Sequence, residues 1–145
     1  MKVNELMIGN WVKPHQCMIP TVYCRVEGIY PDGTVSLDKA ERLFTLDELK
    51  PVILTPEILL NNGFTEVFNS VLTAEGYKNI PVYKYKNMNQ AQDICHNLIR
   101  ITYSSSKGGV YDIQSGIGSH IFDISYVHEL QHALRLCGIE KEIEL

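Results

Sequence analysis

Apolar residues in the first third of the chain fall in short alternating runs divided by turn residues, which predicts short strands. Residues 7–12 (MIGNWV) have an extended apolar character, and residues 21–29 (TVYCRVEGI) are rich in β-branched and aromatic side chains. Pro31-Asp32-Gly33 reads as a turn, because Pro presets φ and Gly accepts positive φ. Thr34-Val35-Ser36-Leu37 resumes the alternation, so this stretch predicts a hairpin. Residues 44–49 (FTLDEL) predict a short strand or a helical turn, and Val52-Ile53-Leu54 another strand. Several short strands around one hairpin suggest a small SH3-like β-barrel.

The pattern then changes. Thr55 can cap a helix, Pro56 suits its first position, Glu57 suits its first turn, and Gly63 can end it after Asn61-Asn62. Beyond this short linking helix, residues 65–68 and 70–73 read as weak strands. Residues 80–85 (IPVYKY) alternate, and Pro81 makes them an edge strand. Residues 97–103 and 110–113 form a second hairpin around the loop Ser104-Ser105-Ser106-Lys107-Gly108-Gly109. Ser125 is placed to cap a last helix over residues 126–137, with apolar Val127, Leu130, Ala133, Leu134 and Cys137 at helical spacing and Gly138 as its stop. The expected architecture is α+β: an N-terminal barrel-like subdomain with the short helix (1–63), then an antiparallel sheet covered by the C-terminal helix (64–145).

Composition narrows the function classes. With 45% hydrophobic and 21% charged residues the chain can build a core and is not of disordered type. A net charge of −4 gives no footprint for general nucleic-acid binding. No apolar run is long enough for a membrane span, and the N-terminus lacks a leader pattern, so a cytoplasmic location is expected. The four cysteines contain no CxxC pair and read as free thiols.

One motif carries sharp chemistry. His128-Glu129-Leu130-Gln131-His132 is an HExxH on a predicted helix. Histidines four apart can share a zinc ion, and the Glu can serve as base on the metal-bound water. The helical wheel puts His128, His132 and Arg135 opposite the Val127/Leu130/Leu134 stripe, exposed or lining a cleft. Against zinc, no third histidine follows, Gly138 stands six residues past His132 rather than three, and upstream candidates (His96, His120, Asp123) lack a supporting pattern. The preferred reading is a solvated helix face, with a zinc-dependent hydrolase using His128, His132 and Glu129 as the alternative.

Two segments, residues 4–12 (NELMIGNWV) and 126–134 (YVHELQHAL), with residues 51–59 (PVILTPEIL) and Asn62-Gly63-Phe64 between them, carry a resemblance over nearly the whole chain. Together they resemble a widespread set of small uncharacterised proteins of Bacteroides-type gut bacteria, their prophages and phages. In that set the first His is often followed by Gln and the second His is often Asn. The resemblance thus implies a VHxLQ pattern in which Glu129 and His132 are incidental. It brings no transferable activity. It implies a mobile-element setting, in which small proteins often block host machinery or sequester a host signal as anti-defence devices.

Other residues offer binding chemistry. Ser106 and Lys107 sit in a loop whose hydroxyls, cation and glycine N–H groups could cradle an anion, although it is no P-loop. Tyr83, Tyr85, Arg100 and Tyr103 could stack on a base or nucleotide, and Trp11 could serve as a ligand platform. The expectation is a non-enzymatic binding protein without a cofactor, engaging a host protein or a small anionic ligand such as a nucleotide signal. A structural or oligomerisation protein, with self-association, is the third reading.

Overall fold

A computed structural model describes residues 5–15, 22–86, 98–104, 110–115 and 120–145. The chain is α+β, with two antiparallel sheets and two helices. It divides into two compact units.

The first unit takes in residues 1–53 and 126–143. Its strands are β1 (Trp11–Pro14), β2 (Cys24–Ile29), β3 (Val35–Leu37) and β4 (Leu49–Pro51), in the order β3-β2-β1-β4. The expected β2–β3 hairpin forms. Its turn is held by Asp32 Oδ1, which accepts from the Thr34 N–H at 3.0 Å, and Gly33 takes φ 83°. Residues 44–49 satisfy both readings offered for them: Phe44 bridges Val35, and a 3-10 helix (Leu46–Glu48) follows. No closed barrel is seen among the described residues: β3 and β4 lie at opposite ends of the sheet order. The inward alternation builds a core of Val12, Cys24, Val26, Val35, Leu37, Phe44 and Leu49. Cys24 is core filler of the expected kind.

Helix α2 (Val127–Leu136) belongs to this unit and lies against β1. The last helix groups with the strands of the first unit, and the second unit begins at Leu54. The tie is in the backbone. Ile53 forms a bridge with Tyr126, and the Val127 N–H donates to the Val52 carbonyl at 2.9 Å. An apolar stripe on a helix names a buried face but not the partner it faces.

The second unit is residues 54–125 with Glu144. Helix α1 (Pro56–Asn61) forms as its end signals predict: Thr55 Oγ1 accepts from the Ile58 N–H at 3.3 Å, and Gly63 has φ 80°. The sheet runs β5 (Thr65–Thr73), β6 (Gly76–Lys86), β7 (Leu98–Ser104), β8 (Val110–Ser115) and β9 (His120–Ile124), in sequential order. The two weak strands are one nine-residue strand, β5. The strand containing Pro81 is not at the edge; β6 pairs with both β5 and β7, and β5 is the edge. Pro81 is accommodated because the β6–β7 pairing begins one residue later, at Val82↔Thr102. Ile99, Ile101, Ile113 and Ile124 form the apolar face.

Candidate functional site

Helix α2 decides how the sharp motif is read. Its N-terminus leaves N–H groups without helical partners, and Glu129 meets one of them: its Oε2 accepts from the Tyr126 N–H at 3.0 Å. The residue that would be a general base instead fastens its own helix end. The wheel expectation fails for His128, which is only 3% exposed, in the core rather than on an open face. Its ring stacks on Tyr126 (centroids 5.7 Å apart) and meets His132 edge-on at 5.9 Å. Burial pushes the His128 pKa down, partly offset by Glu129; burial and then Arg135 push His132 down. Both rings are therefore neutral near pH 7.

His128 Nδ1 is buried without a hydrogen-bond partner among the described residues, whereas Gln131 and His132 are engaged by the opening segment of the chain. Gln131 Oε1 accepts from the Trp11 N–H at 3.2 Å and Asn10 Nδ2 at 3.4 Å, while its Nε2 donates to the Gly9 carbonyl at 3.0 Å. Asn10 Oδ1 accepts from the Met7 N–H and from His132 Nε2, both at 2.8 Å. The acceptor role of Oδ1 places the His132 proton on Nε2. IGNWV and VHELQ, the two segments that carried the family resemblance, thus form one buried polar lock. Asn10 and Gln131 are both buried, as such a network requires.

Beyond the lock the helix ends in a Schellman turn. The Ile139 N–H donates to the Leu134 carbonyl at 2.8 Å, the Gly138 N–H to the Arg135 carbonyl at 3.0 Å, and Gly138 takes φ 71°. Buried Ile139 and Ile143 then anchor the following segment. A groove of about 380 Å³ lies here, lined by Gly9, Arg25, Gln131, Arg135, Ile139, Glu140, Lys141 and Glu142. That volume suits a small ligand. Gly9 has φ 87°, and a Cβ at this position would lie 3.3 Å from Arg135 Nη2, so glycine both permits the turn and leaves room for the guanidinium.

The groove's cations differ in how they are occupied. Arg25 lies over the Trp11 ring at 4.7 Å and pairs with Glu142 at 2.9 Å, a carboxylate that is itself largely exposed. Arg135 is exposed, and its one hydrogen-bond contact among the described residues is to the Met7 thioether, Nη1 to Sδ at 3.7 Å. A guanidinium so placed keeps most of its planar donor fork for another acceptor.

The residues singled out from the sequence fare differently. Trp11 is 7% exposed, roofed by Arg25 and by Lys39 at 5.6 Å, and its Nε1 donates to the Ile143 carbonyl at 2.6 Å. It offers no open platform, although its roof is a wall of the groove. Tyr83, Tyr85 and Tyr103 share one face of the second sheet, since Tyr83 pairs with Ile101, Tyr85 with Ile99 and Tyr103 with Tyr111. Arg100 pairs with Lys84 and Gln114 on the other face, so the expected cluster is divided. Buried Tyr83 donates its O–H to Glu66 Oε1 at 2.8 Å; burial first, then that bond, pushes its phenol up. Tyr85 packs on Phe64 at 5.1 Å, and Tyr103 meets Tyr111 edge-on at 5.2 Å. Ser106, Lys107 and His96 lie outside the described residues.

Metal-ligating geometry occurs elsewhere than in the HELQH helix. Among the described residues, Asp112, His120 and Asp123 can each offer one ligand atom within 4.8 Å of the others, and no third ligand is grouped with His128 and His132. Asp112 and Asp123 are opposite on β8 and β9, next to an irregularity in register at Ile113/Gln114. His120 Nδ1 bonds Asp112 Oδ1, and Gln114 Nε2 donates to Asp112 Oδ2 at 2.6 Å. The Cys137 thiol is pushed up by burial, the opposite of an activated nucleophile.

Nothing in the sequence groups Arg25 and Lys141 with this groove. A signal existed for Arg135, which stands one turn past Gln131 on the same helix. Comparison with protein-family models, curated proteins and solved structures finds no match. Among the described residues no helix is long and apolar enough to cross a membrane.

Proposed function

We propose that this chain is a non-enzymatic binding protein that takes a small anionic ligand in the groove beside Gly9, Arg25 and Arg135. The ligand class is a phosphate- or carboxylate-bearing small molecule, a nucleotide signal included. The observation that carries this reading is the Arg135 guanidinium, held at the groove next to Gly9 without a carboxylate partner among the described residues. Arg25 would add a second fork if an incoming anion displaced the exposed Glu142. The engaged state of Glu129, His132 and Gln131 supports binding over hydrolysis. The resemblance supports a phage or mobile-element role in the host cytoplasm. We also read the first unit as an SH3-like meander, on its strand order, the Phe44 bridge and the 3-10 helix before β4.

Thermal-shift measurements with inorganic phosphate, nucleoside mono- and triphosphates, cyclic dinucleotides and citrate test the reading. The expected result is stabilisation by one class that weakens with salt, since ligand at about a hundredfold over its Kd adds about 2.7 kcal/mol. Arg135→Ala should abolish the shift without altering the fold. Glu142→Gln should enlarge it by removing the competing carboxylate. Failure of every probe to stabilise the wild-type chain would withdraw the groove as an anion site.

A further inference from the structure

The exposed end of the β5–β6 hairpin is built to pair with another strand. Among the described residues β5 is an edge over all nine of its residues, and Phe68 (63% exposed), Leu72 (68%) and Tyr77 (78%) stand in the open. Pro81 fixes which backbone groups of β5 are free. It pairs with Phe68 and has no N–H, so Phe68↔Pro81 is a non-hydrogen-bonded pair. The alternate residues Thr65, Val67, Asn69, Val71 and Thr73 therefore bond to β6. The N–H and C=O groups of Glu66, Phe68, Ser70 and Leu72 point away from the sheet, toward an added strand.

Edge strands are ordinarily blunted by lysine, proline or inward charge. β5 contains no Lys, Arg or Pro, and its one charge is Glu66. Its sequence is also symmetric about Asn69. One face reads Thr65, Val67, Asn69, Val71, Thr73, the same in both directions. An antiparallel copy centred there sets Val67 opposite Val71 and Thr65 opposite Thr73, which are β-branched cross-strand pairs. On the other face Phe68 meets Ser70 and has the second Phe68 and Leu72 as diagonal neighbours, within reach of an aromatic ring. Glu66 falls opposite Leu72, so no like charges oppose each other.

We infer that two copies of this chain associate through β5, antiparallel about a two-fold axis at Asn69, to make one continuous ten-stranded sheet. This is isologous strand addition, in which the outward groups of each edge satisfy the other. It rests on the second unit alone and is independent of the anion groove.

Light scattering of the full chain at about 100 µM, well above the Kd of an ordinary stable dimer, should give twice the 16.5 kDa of one chain. Phe68→Lys should yield a monomer with unchanged far-UV circular dichroism. Ser70→Pro, which removes an outward N–H, should do the same. Asn69→Cys reads the register: two such residues face each other in a non-hydrogen-bonded pair with Cα atoms about 4.5 Å apart, within disulfide range. Mild oxidation should then cross-link Asn69→Cys, but not Thr65→Cys, to a covalent dimer. A wild-type monomer, a dimer indifferent to Phe68→Lys, or a folded Asn69→Cys dimer that does not cross-link would overturn the inference.

Discussion

The polar face of α2 and the edge strand β5 use their hydrogen-bonding capacity in opposite ways. Along α2, Glu129, Gln131 and His132 all have partners inside the chain. Along β5, every second residue turns its backbone groups outward, and Phe68 and Leu72 stand exposed beside them. The segment richest in catalytic residue types thus has its Glu129, Gln131 and His132 engaged inside the chain, with only His128 Nδ1 left unpartnered among the described residues, and the plainest segment, TEVFNSVLT, holds unspent binding capacity. Residue type proposes chemistry, but the partners already present decide whether any of it is available.

If α2 is a lock, breaking it should cost more than any surface change. Gln131→Ala removes two good hydrogen bonds and one long one, and leaves the Trp11 N–H and the Gly9 carbonyl without those partners in a buried setting. The expected loss is about 3 kcal/mol, mostly the desolvation of orphaned backbone groups, read from urea unfolding. Asn10→Ala should cost about 2 kcal/mol by the same reasoning, because Met7 N–H and His132 Nε2 lose their acceptor. A loss under about half a kcal/mol for Gln131→Ala would show that the lock is ornamental.

The histidines of the lock sharpen the comparison through pH. Both have pKa values below the ordinary 6.5, because burial opposes the charged ring. The unfolded chain therefore binds more protons than the folded one in the window beneath 6.5. Their stability contribution is complete above that value and is lost as pH falls from it toward the depressed folded values. Urea midpoints should decline between about pH 7 and pH 5.5, before most carboxylates titrate. His132→Asn keeps a donor toward Asn10 and should flatten part of that slope. β5 contains no histidine, so the dimer should persist across this window.

Local signals in the sequence specify the structure closely, and long-range ones do not. The Thr55 cap, the Asp32-Gly33 turn and the Gly138 stop each act within a few residues, and each is found where it was expected. Pro81 by its own chemistry marks an edge, but its effect depends on where β7 begins to pair, which lies far along the chain. The entry into α2 is fixed by a bridge between Ile53 and Tyr126, across more than seventy residues. Strand β9, His120–Ile124, carries no strong alternation in its sequence to announce it. Of the proposed groove, Trp11 touches it only through the Arg25 that roofs its ring, and Arg25 and Arg135 come from a strand and a helix that only the fold brings together.

The smallest expected effect is the most discriminating for the motif. Glu129 accepts from the Tyr126 N–H, a capping role that glutamine can also fill. Glu129→Gln should therefore change stability by less than about 0.5 kcal/mol, and Glu129→Ala by about 1 kcal/mol. In a zinc hydrolase the same Glu129→Gln change would abolish turnover while leaving the fold intact, because glutamine cannot take a proton from metal-bound water. The purified chain assayed on a general peptide substrate, with zinc supplied, separates the two roles. Turnover lost in Glu129→Gln and retained in Gln131→Glu would return the motif to catalysis, whereas no turnover in any variant, with only the small stability differences above, keeps Glu129 as the clasp of its helix.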